Sequence, residues 1–339
     1  MKDRAQEYTG VVSKVYGAYY NLLPEPERGP EIRARLRGRL RLARGETGGR
    51  RHRHLIMVGD RVVYTRPDPD QPARIQSLLP RRNALCRAVH QHVQALGANL
   101  DRAVIMISLA SPEPNFRFLD RVLVSCHAEG IEPLLVFSKR DLVTDDDPAL
   151  EMVDLYARLG YRVFPLDLSA EAPRPPDRFA EFVELLSSGQ TVIVGRSGTG
   201  KSTLCNRLLG GVYQKTDGIS SVGKGRHTTT NSSLFVFQDT EAFFIDTPGV
   251  KEWGVSHVAS GDVLTGFPEL RDLIGECQFS NCEHRPSDLG CALQAAIQAS
   301  IDAAEAATHP ESPPPLHPER VFSLLAMLAH GEGGPPPGA

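Results

Sequence analysis

Gly195-Arg196-Ser197-Gly198-Thr199-Gly200-Lys201-Ser202 follows the apolar run at 191–194 and precedes the helix-forming Thr203-Leu204-Cys205-Asn206-Arg207-Leu208-Leu209. Strand, glycine loop and helix start stand in the order that a nucleotide phosphate requires. In such a loop successive backbone N–H groups curl around the β-phosphate at a helix N-terminus, Lys201 reaches the β/γ oxygens and the Ser202 hydroxyl binds Mg²⁺. Residues 195–203, Thr203 included, are therefore the expected phosphate contacts.

Two further stretches decide which nucleotide. Residues 242–245 are apolar and end in Asp246-Thr247-Pro248-Gly249. In P-loop GTPases such a DxxG gives an Asp to the Mg²⁺ shell and a Gly whose amide senses the γ-phosphate. Residues 133–137 are apolar and end in Ser138-Lys139-Arg140-Asp141, a variant of the NKxD base reader. The Asp141 carboxylate is suited to accept N–H bonds from guanine N1 and N2, which adenine cannot offer, with Lys139 along the base. Ser169-Ala170, after the strand-like 161–164, is the candidate for closing over the base. A P-loop ATPase or kinase is the weaker alternative, and Asp141 argues against it.

The order is base reader, phosphate loop, switch strand, whereas ordinary GTPases run phosphate loop, switches, base reader. A site built from neighbouring strand ends survives re-cutting of the chain if the old termini are joined. A circularly permuted GTPase is expected, with a doubly wound α/β domain over 98–255. The switch strand then feeds the C-terminal region directly, so nucleotide state is expected to reach that region's orientation.

At 339 residues with 41% hydrophobic content, the chain has room for two or three domains, and no run approaches the length of a membrane span. Residues 1–7 lack the apolar core of a signal peptide, so a cytoplasmic location is expected. The net charge of −3 means that any RNA contact rests on local clustering. Short strands through residues 1–80 suggest a small β-barrel. Its third strand, expected over 32–42, alternates Arg33, Arg35, Arg37, Arg39 and Arg41 with small or apolar residues, placing guanidinium groups on one face. Arg44, Arg50, Arg51, His52, Arg53 and His54 continue the charge. A phosphate-tracking surface is expected, against the alternative of a solvated face. Residues 81–97 read as a linker.

Three of the six cysteines lie close together. Cys277, Cys282, His284 and Cys291 have the spacing C-x4-C-x-H-x6-C, a closed donor set for one structural Zn²⁺. Helices at 267–274, 292–306 and 318–329 complete a mostly α zinc-binding domain over 256–330, and the Gly/Pro-rich 331–339 reads as a disordered tail.

The permuted motif order, Gly225-Arg226-His227-Thr228-Thr229-Thr230 and the Cys/His cluster together resemble the RsgA (YjeQ) family of permuted bacterial GTPases, over residues 8 to 330. The resemblance implies an OB-fold for the barrel, GTP/GDP with Mg²⁺ as ligands, the small (30S) ribosomal subunit and 16S rRNA as partners, and a monomer. It implies that residues 225–230 are switch I, ending a polar loop over 214–229. Thr230 is then the threonine expected to complete the Mg²⁺ shell, with Thr229 next. Val250 stands where Ras-like GTPases hold a water-orienting Gln, so unassisted hydrolysis should be slow. His227 is the candidate to take that role once a partner orders the loop. Ser138 stands where the family carries Asn, which removes an amide that braces the loop and should weaken guanine binding. An rRNA-binding assembly factor that uses GTP as a switch with little turnover is the alternative.

Overall fold

The computed structural model describes residues 6–36, 56–66, 71–89, 92–168, 178–210, 232–237, 240–282, 284, 287–305 and 316–331. The chain opens with β1 (Glu7–Tyr16), β2 (Tyr19–Glu25), β3 (Ile32–Leu36), β4 (Arg61–Thr65) and β5 (Ala73–Leu78). They pair in the order β1-β2-β3-β5-β4, and β4 returns to β1, closing a five-stranded barrel of OB type. Val12, Leu22, Ala34, Val62, Tyr64 and Ile75 fill it. In β3, exposed Arg33 and Arg35 flank buried Ala34, as the alternation requires. The described strand ends at Leu36; Arg37, Arg39, Arg41 and the basic run through His54 lie outside the described residues.

Residues 81–97 are not plain linker. β6 (Ala84–Val89) and β7 (His92–Ala98) form an antiparallel hairpin that buries Leu85, Ala88, Leu96 and Ala98. Neither strand alternates: buried residues run together at Leu85-Cys86 and at Leu96-Gly97-Ala98, with a register shift between Leu85 and Cys86, so the period-2 signal of a strand is absent from the sequence.

The doubly wound unit follows: β8 (Arg102–Ser108), α1 (Phe116–Ala128), β9 (Glu132–Ser138), α2 (Ala149–Arg158), β10 (Arg162–Leu166), α3 (Phe179–Leu186), β11 (Gln190–Gly195), α4 (Lys201–Leu208), β12 (Ser233–Val236) and β13 (Phe243–Asp246). The strand order is β10-β9-β8-β11-β13-β12, parallel except for β12. β8, β9 and β11 are apolar almost throughout because helices cover both faces of a parallel sheet. Asn115 caps α1, its side-chain oxygen accepting from the Phe118 amide at 2.8 Å. Edge strand β12 meets β1 at Ser233 and Lys14, so barrel and nucleotide sheet are continuous.

The C-terminal part is mostly helical: α5 (Ser260–Thr265), α6 (Ala292–Glu305) and α7 (Pro318–Gly331). The helix expected at 267–274 is a 3-10 turn over Pro268–Leu273, opened by Pro268, which cannot donate to a preceding turn. α5 and α7 pack on α1, and α6 packs on α7 and on the 3-10 turn. Arg320 of α7, fully buried, pairs with Asp120 of α1 and with Glu269, under the Phe267 ring at 4.5 Å. Among the described residues no helix is long and apolar enough to cross a membrane.

Candidate nucleotide site and metal centre

Because β9, β8, β11 and β13 run parallel, their C-terminal ends share one edge of the sheet, where α/β folds bind ligands. β11 delivers the glycine loop there. A Cβ on Gly195 would lie 2.8 Å from the Met106 carbonyl and 2.9 Å from Thr199 Oγ1, so the tight turn excludes any side chain. Gly198 and Gly200 take φ of 84° and 90°, a region glycine enters freely. Arg196 and Ser197 before Gly198, and Thr199 after it, complete the curl, and Lys201, Ser202 and Thr203 form the first turn of α4. The buried Lys201 ammonium donates to the carbonyls of Gly195 (2.6 Å) and Arg196 (2.8 Å), which holds it against the loop it serves.

β9 delivers the base reader. Fully buried Ser138 donates its hydroxyl to the Thr199 carbonyl at 2.7 Å. This bond ties the base-reading strand to the glycine loop. Lys139 has φ of 62° and its ammonium meets the Ser111 carbonyl in the loop between β8 and α1. Arg140 binds the Val143 carbonyl at 2.9 Å and the Asp145 carboxylate, fixing the 3-10 turn over Arg140–Leu142 that carries Asp141. One Asp141 carboxylate oxygen is buried without a hydrogen-bond partner. An orphaned carboxylate oxygen beside a phosphate loop is costly unless a ligand donor meets it, and guanine offers that donor.

β13 delivers the switch strand. Asp246 lies opposite Ile193, two residues before the glycine loop on the neighbouring strand. Thr247 donates its hydroxyl to the Ile193 carbonyl at 2.7 Å, and the Val250 amide donates to the Gly195 carbonyl at 3.1 Å. A Cβ on Gly249 would sit 3.1 Å from Ser197 Cα, so only glycine lets the two loops approach so closely. Oxygen donors at Ser202 and Asp246 fit a hard cation such as Mg²⁺. Ser169, Ala170, His227, Thr228, Thr229 and Thr230 lie outside the described residues.

The second site is the cysteine cluster. Its four donor atoms lie within 4.8 Å of one another. His284 Nδ1 is 3.5 Å from Cys277 Sγ, 3.6 Å from Cys282 Sγ and 3.5 Å from Cys291 Sγ, and Cys277 Sγ is 3.9 Å from Cys291 Sγ. Tetrahedral Zn²⁺ with ordinary bond lengths needs N···S edges of about 3.5 Å and S···S edges of about 3.8 Å, so the donor set fits. His284 adopts φ of 60°, and Gln294 donates to its carbonyl at 2.7 Å, holding the ring inward. The other cysteines differ in kind: burial pushes the Cys86 thiol up to about 12 and raises those of Cys126 and Cys205, so all three are inert packing groups.

Sequence reasoning missed the contacts that tie the three loops together: the carbonyls of Thr199, Ser111 and Gly195 and the hydroxyl of Thr247. Main-chain acceptors leave no residue signature, though Thr247 inside DTPG was open to notice.

A sequence model described as RsgA GTPase matches residues 78–256. The small ribosomal subunit biogenesis GTPase RsgA of Azotobacter vinelandii is 40% identical over 246 residues, covering 71% of this chain and 69% of that protein. The protein of the same name from Pseudomonas aeruginosa is 39% identical over 249 residues, covering 72% and 70%. Among solved structures, YjeQ from Thermotoga maritima superposes with a TM-score of 0.67 at 24% identity, covering 97% of this chain and 100% of that one. YloQ, a circularly permuted GTPase, superposes at 0.64 with 22% identity and 99% of both chains. At those identities the structural likeness concerns the fold.

Proposed function

The chain belongs to the RsgA GTPase family, and from that premise we propose that it hydrolyses GTP to GDP and phosphate while assisting late maturation of the small ribosomal subunit. The observation that carries the nucleotide assignment is the buried, unpartnered Asp141 oxygen, three residues past Ser138, whose hydroxyl is bonded to the glycine loop. The relatives' names, small ribosomal subunit biogenesis GTPase, support the cellular role.

In this account Asp141 reads guanine N1 and N2 and Lys139 lies along the base. Residues 195–203 cradle the phosphates, Lys201 leaving its loop carbonyls for the β/γ oxygens. Ser202, Asp246 and Thr230 would hold Mg²⁺, which when bound would supply positive charge against the transferred phosphoryl group. The Gly249 amide meets the γ-phosphate. Water attacks in line, the γ-phosphorus bond to the bridging oxygen breaks, and GDP leaves with its electron pair. Val250 is buried and cannot orient that water, so His227 does so when a partner orders its loop. Hydrolysis is then slow alone and stimulated by the subunit.

The barrel supports the same target. Arg33, Arg35 and Arg74 lie on its outer side, Arg35 opposite Arg74 in the β3–β5 ladder, and Arg33 stacks on Tyr19 at 4.1 Å. Cations interleaved with an aromatic ring suit 16S rRNA. The domains run 1–80 (RNA-binding barrel), 81–97 (connection), 98–255 (GTPase), 256–330 (zinc domain) and 331–339 (tail), and the protein acts as a cytoplasmic monomer. Phosphate release from GTP with and without small subunits tests the function. A GTP-gated assembly factor with little turnover is the alternative, and Val250 is what favours it.

A further inference from the structure

Switch II, the segment that runs on from Asp246-Thr247-Pro248-Gly249, is caught again over residues 252–254. The Ala88 amide of β6 donates to the Gly254 carbonyl at 2.8 Å, and the Gly254 amide donates back to the Ala88 carbonyl at 3.1 Å. Next to this pair Arg87 donates to the Glu252 carbonyl at 2.6 Å, while Gln94 of β7 accepts from the same guanidinium at 3.0 and 2.8 Å. The residue between, Trp253, is 1% exposed, donates its indole N–H to Ser125 Oγ of α1 at 2.9 Å, and meets the Phe118 ring edge-on. Each of residues 252, 253 and 254 is thus held separately. By contrast Lys251 and Glu252 have exposed side chains.

We propose that the β6–β7 hairpin is the fixed anchor of switch II, with Arg87 as its positioning residue, and that this anchor sets the hydrolytic rate without contributing to guanine nucleotide affinity. The proposal rests on the GTP-hydrolysing reading above. Three observations carry it. The fit at Gly254 is obligate, because a Cβ there would lie 2.7 Å from the Ala88 carbonyl. The Arg87 guanidinium spans both hairpin strands and the switch segment, so it transmits hairpin position to residue 252. Finally, the family match at 78–256 takes in the whole hairpin and stops just past Gly254, so both halves of the clamp belong to the matched unit.

The physical consequence is a short tether. At its start Thr247 and Val250 are bonded to β11 and the glycine loop, and at its end residues 252–254 are bonded to the hairpin. A hinge fixed at both ends can swing Gly249 and Val250 only over a small arc, which places the Gly249 amide reproducibly. On this proposal motion of that arc ends at Gly254 and little of it passes to α5 and beyond, in place of the expectation that nucleotide state reaches the orientation of the C-terminal region.

The test uses the full chain as Arg87→Ala, Arg87→Lys and Gln94→Ala, with single-turnover GTP hydrolysis, equilibrium binding of a fluorescent GDP analogue and melting temperature measured for each. Arg87→Ala should lower the hydrolysis rate by on the order of tenfold while GDP affinity stays within about twofold. Arg87→Lys, which keeps one donor, should recover part of the rate, and Gln94→Ala, which frees the guanidinium from β7, should lower it less than Arg87→Ala. An unchanged rate in Arg87→Ala overturns the proposal, as does a parallel loss of GDP affinity and rate across all three variants. If wild type binds GDP but hydrolyses no GTP under any condition, the GTPase reading itself fails, which is a separate result.

Discussion

The Ser138 hydroxyl donates to the carbonyl oxygen of Thr199 at 2.7 Å, joining the strand that reads the base to the loop that holds the phosphates. Both ends are buried, so the bond is shielded from water. Ser138→Ala leaves the Thr199 carbonyl unmet and should cost about 1 kcal/mol of GDP binding, or roughly fivefold faster dissociation. Stopped-flow release of a fluorescent GDP analogue measures it. Dissociation equal to wild type would mean that the brace is idle.

Asp141 offers a buried oxygen with no donor of its own. Asp141→Asn replaces an acceptor of guanine N–H groups by an amide. Losing two charge-assisted bonds should weaken GDP by about 100-fold or more. The same amide can donate to the C2 carbonyl of xanthine, so XDP should bind the variant better than GDP does. Competition binding with both nucleotides decides, and an unaltered preference for GDP would remove Asp141 from base recognition.

The chain has one tryptophan, Trp253, wedged between switch II and α1, so its fluorescence reports on packing at that junction. Metal analysis should find one zinc per chain. Cys291→Ser should release it, lower the melting temperature and melt the region around 277–291 first, with Trp253 emission changing only in the later, global step. Full zinc retention in the variant would contradict the ligand set.

Burial beside Arg271 and Arg320 depresses the His127 imidazole below its ordinary 6.5, while the Tyr161 hydroxyl lies 3.1 Å from its Nε2. The unfolded chain takes up the proton first as pH falls. Stability from this group is therefore present above about pH 6.5 and is lost as pH drops through the lower folded value. The melting temperature should fall between about pH 7.5 and about pH 5.5, and His127→Gln should flatten part of that fall. A variant with the same slope as wild type would assign the effect elsewhere.

How much of this was legible beforehand divides along physical lines. The glycine loop, Asp246-Thr247-Pro248-Gly249 and Ser138-Lys139-Arg140-Asp141 announce themselves because each needs particular side chains at fixed spacing, and the apolar parallel strands before them are unambiguous. Cys277, Cys282, His284 and Cys291 are legible for the same reason. What was not legible depends on partners distant in sequence. Arg320 reads as an ordinary helix residue until α7 brings it against Asp120, 200 positions away. Arg87 and Gly254 carry no motif, since the Arg87 guanidinium meets a main-chain carbonyl 165 residues away and Gly254 pairs with Ala88 through main-chain bonds alone. The Ser138 hydroxyl meets a main-chain carbonyl of a loop 61 residues away, a contact that residue type alone does not signal.

The most direct test of the central claim is phosphate release from GTP and from ATP, each with and without small ribosomal subunits, for wild type and His227→Ala. The account predicts slow hydrolysis of GTP alone, strong stimulation by the subunits confined to GTP, and loss of that stimulation in His227→Ala. Equal turnover of ATP, or GTP turnover indifferent to the subunits, would contradict it.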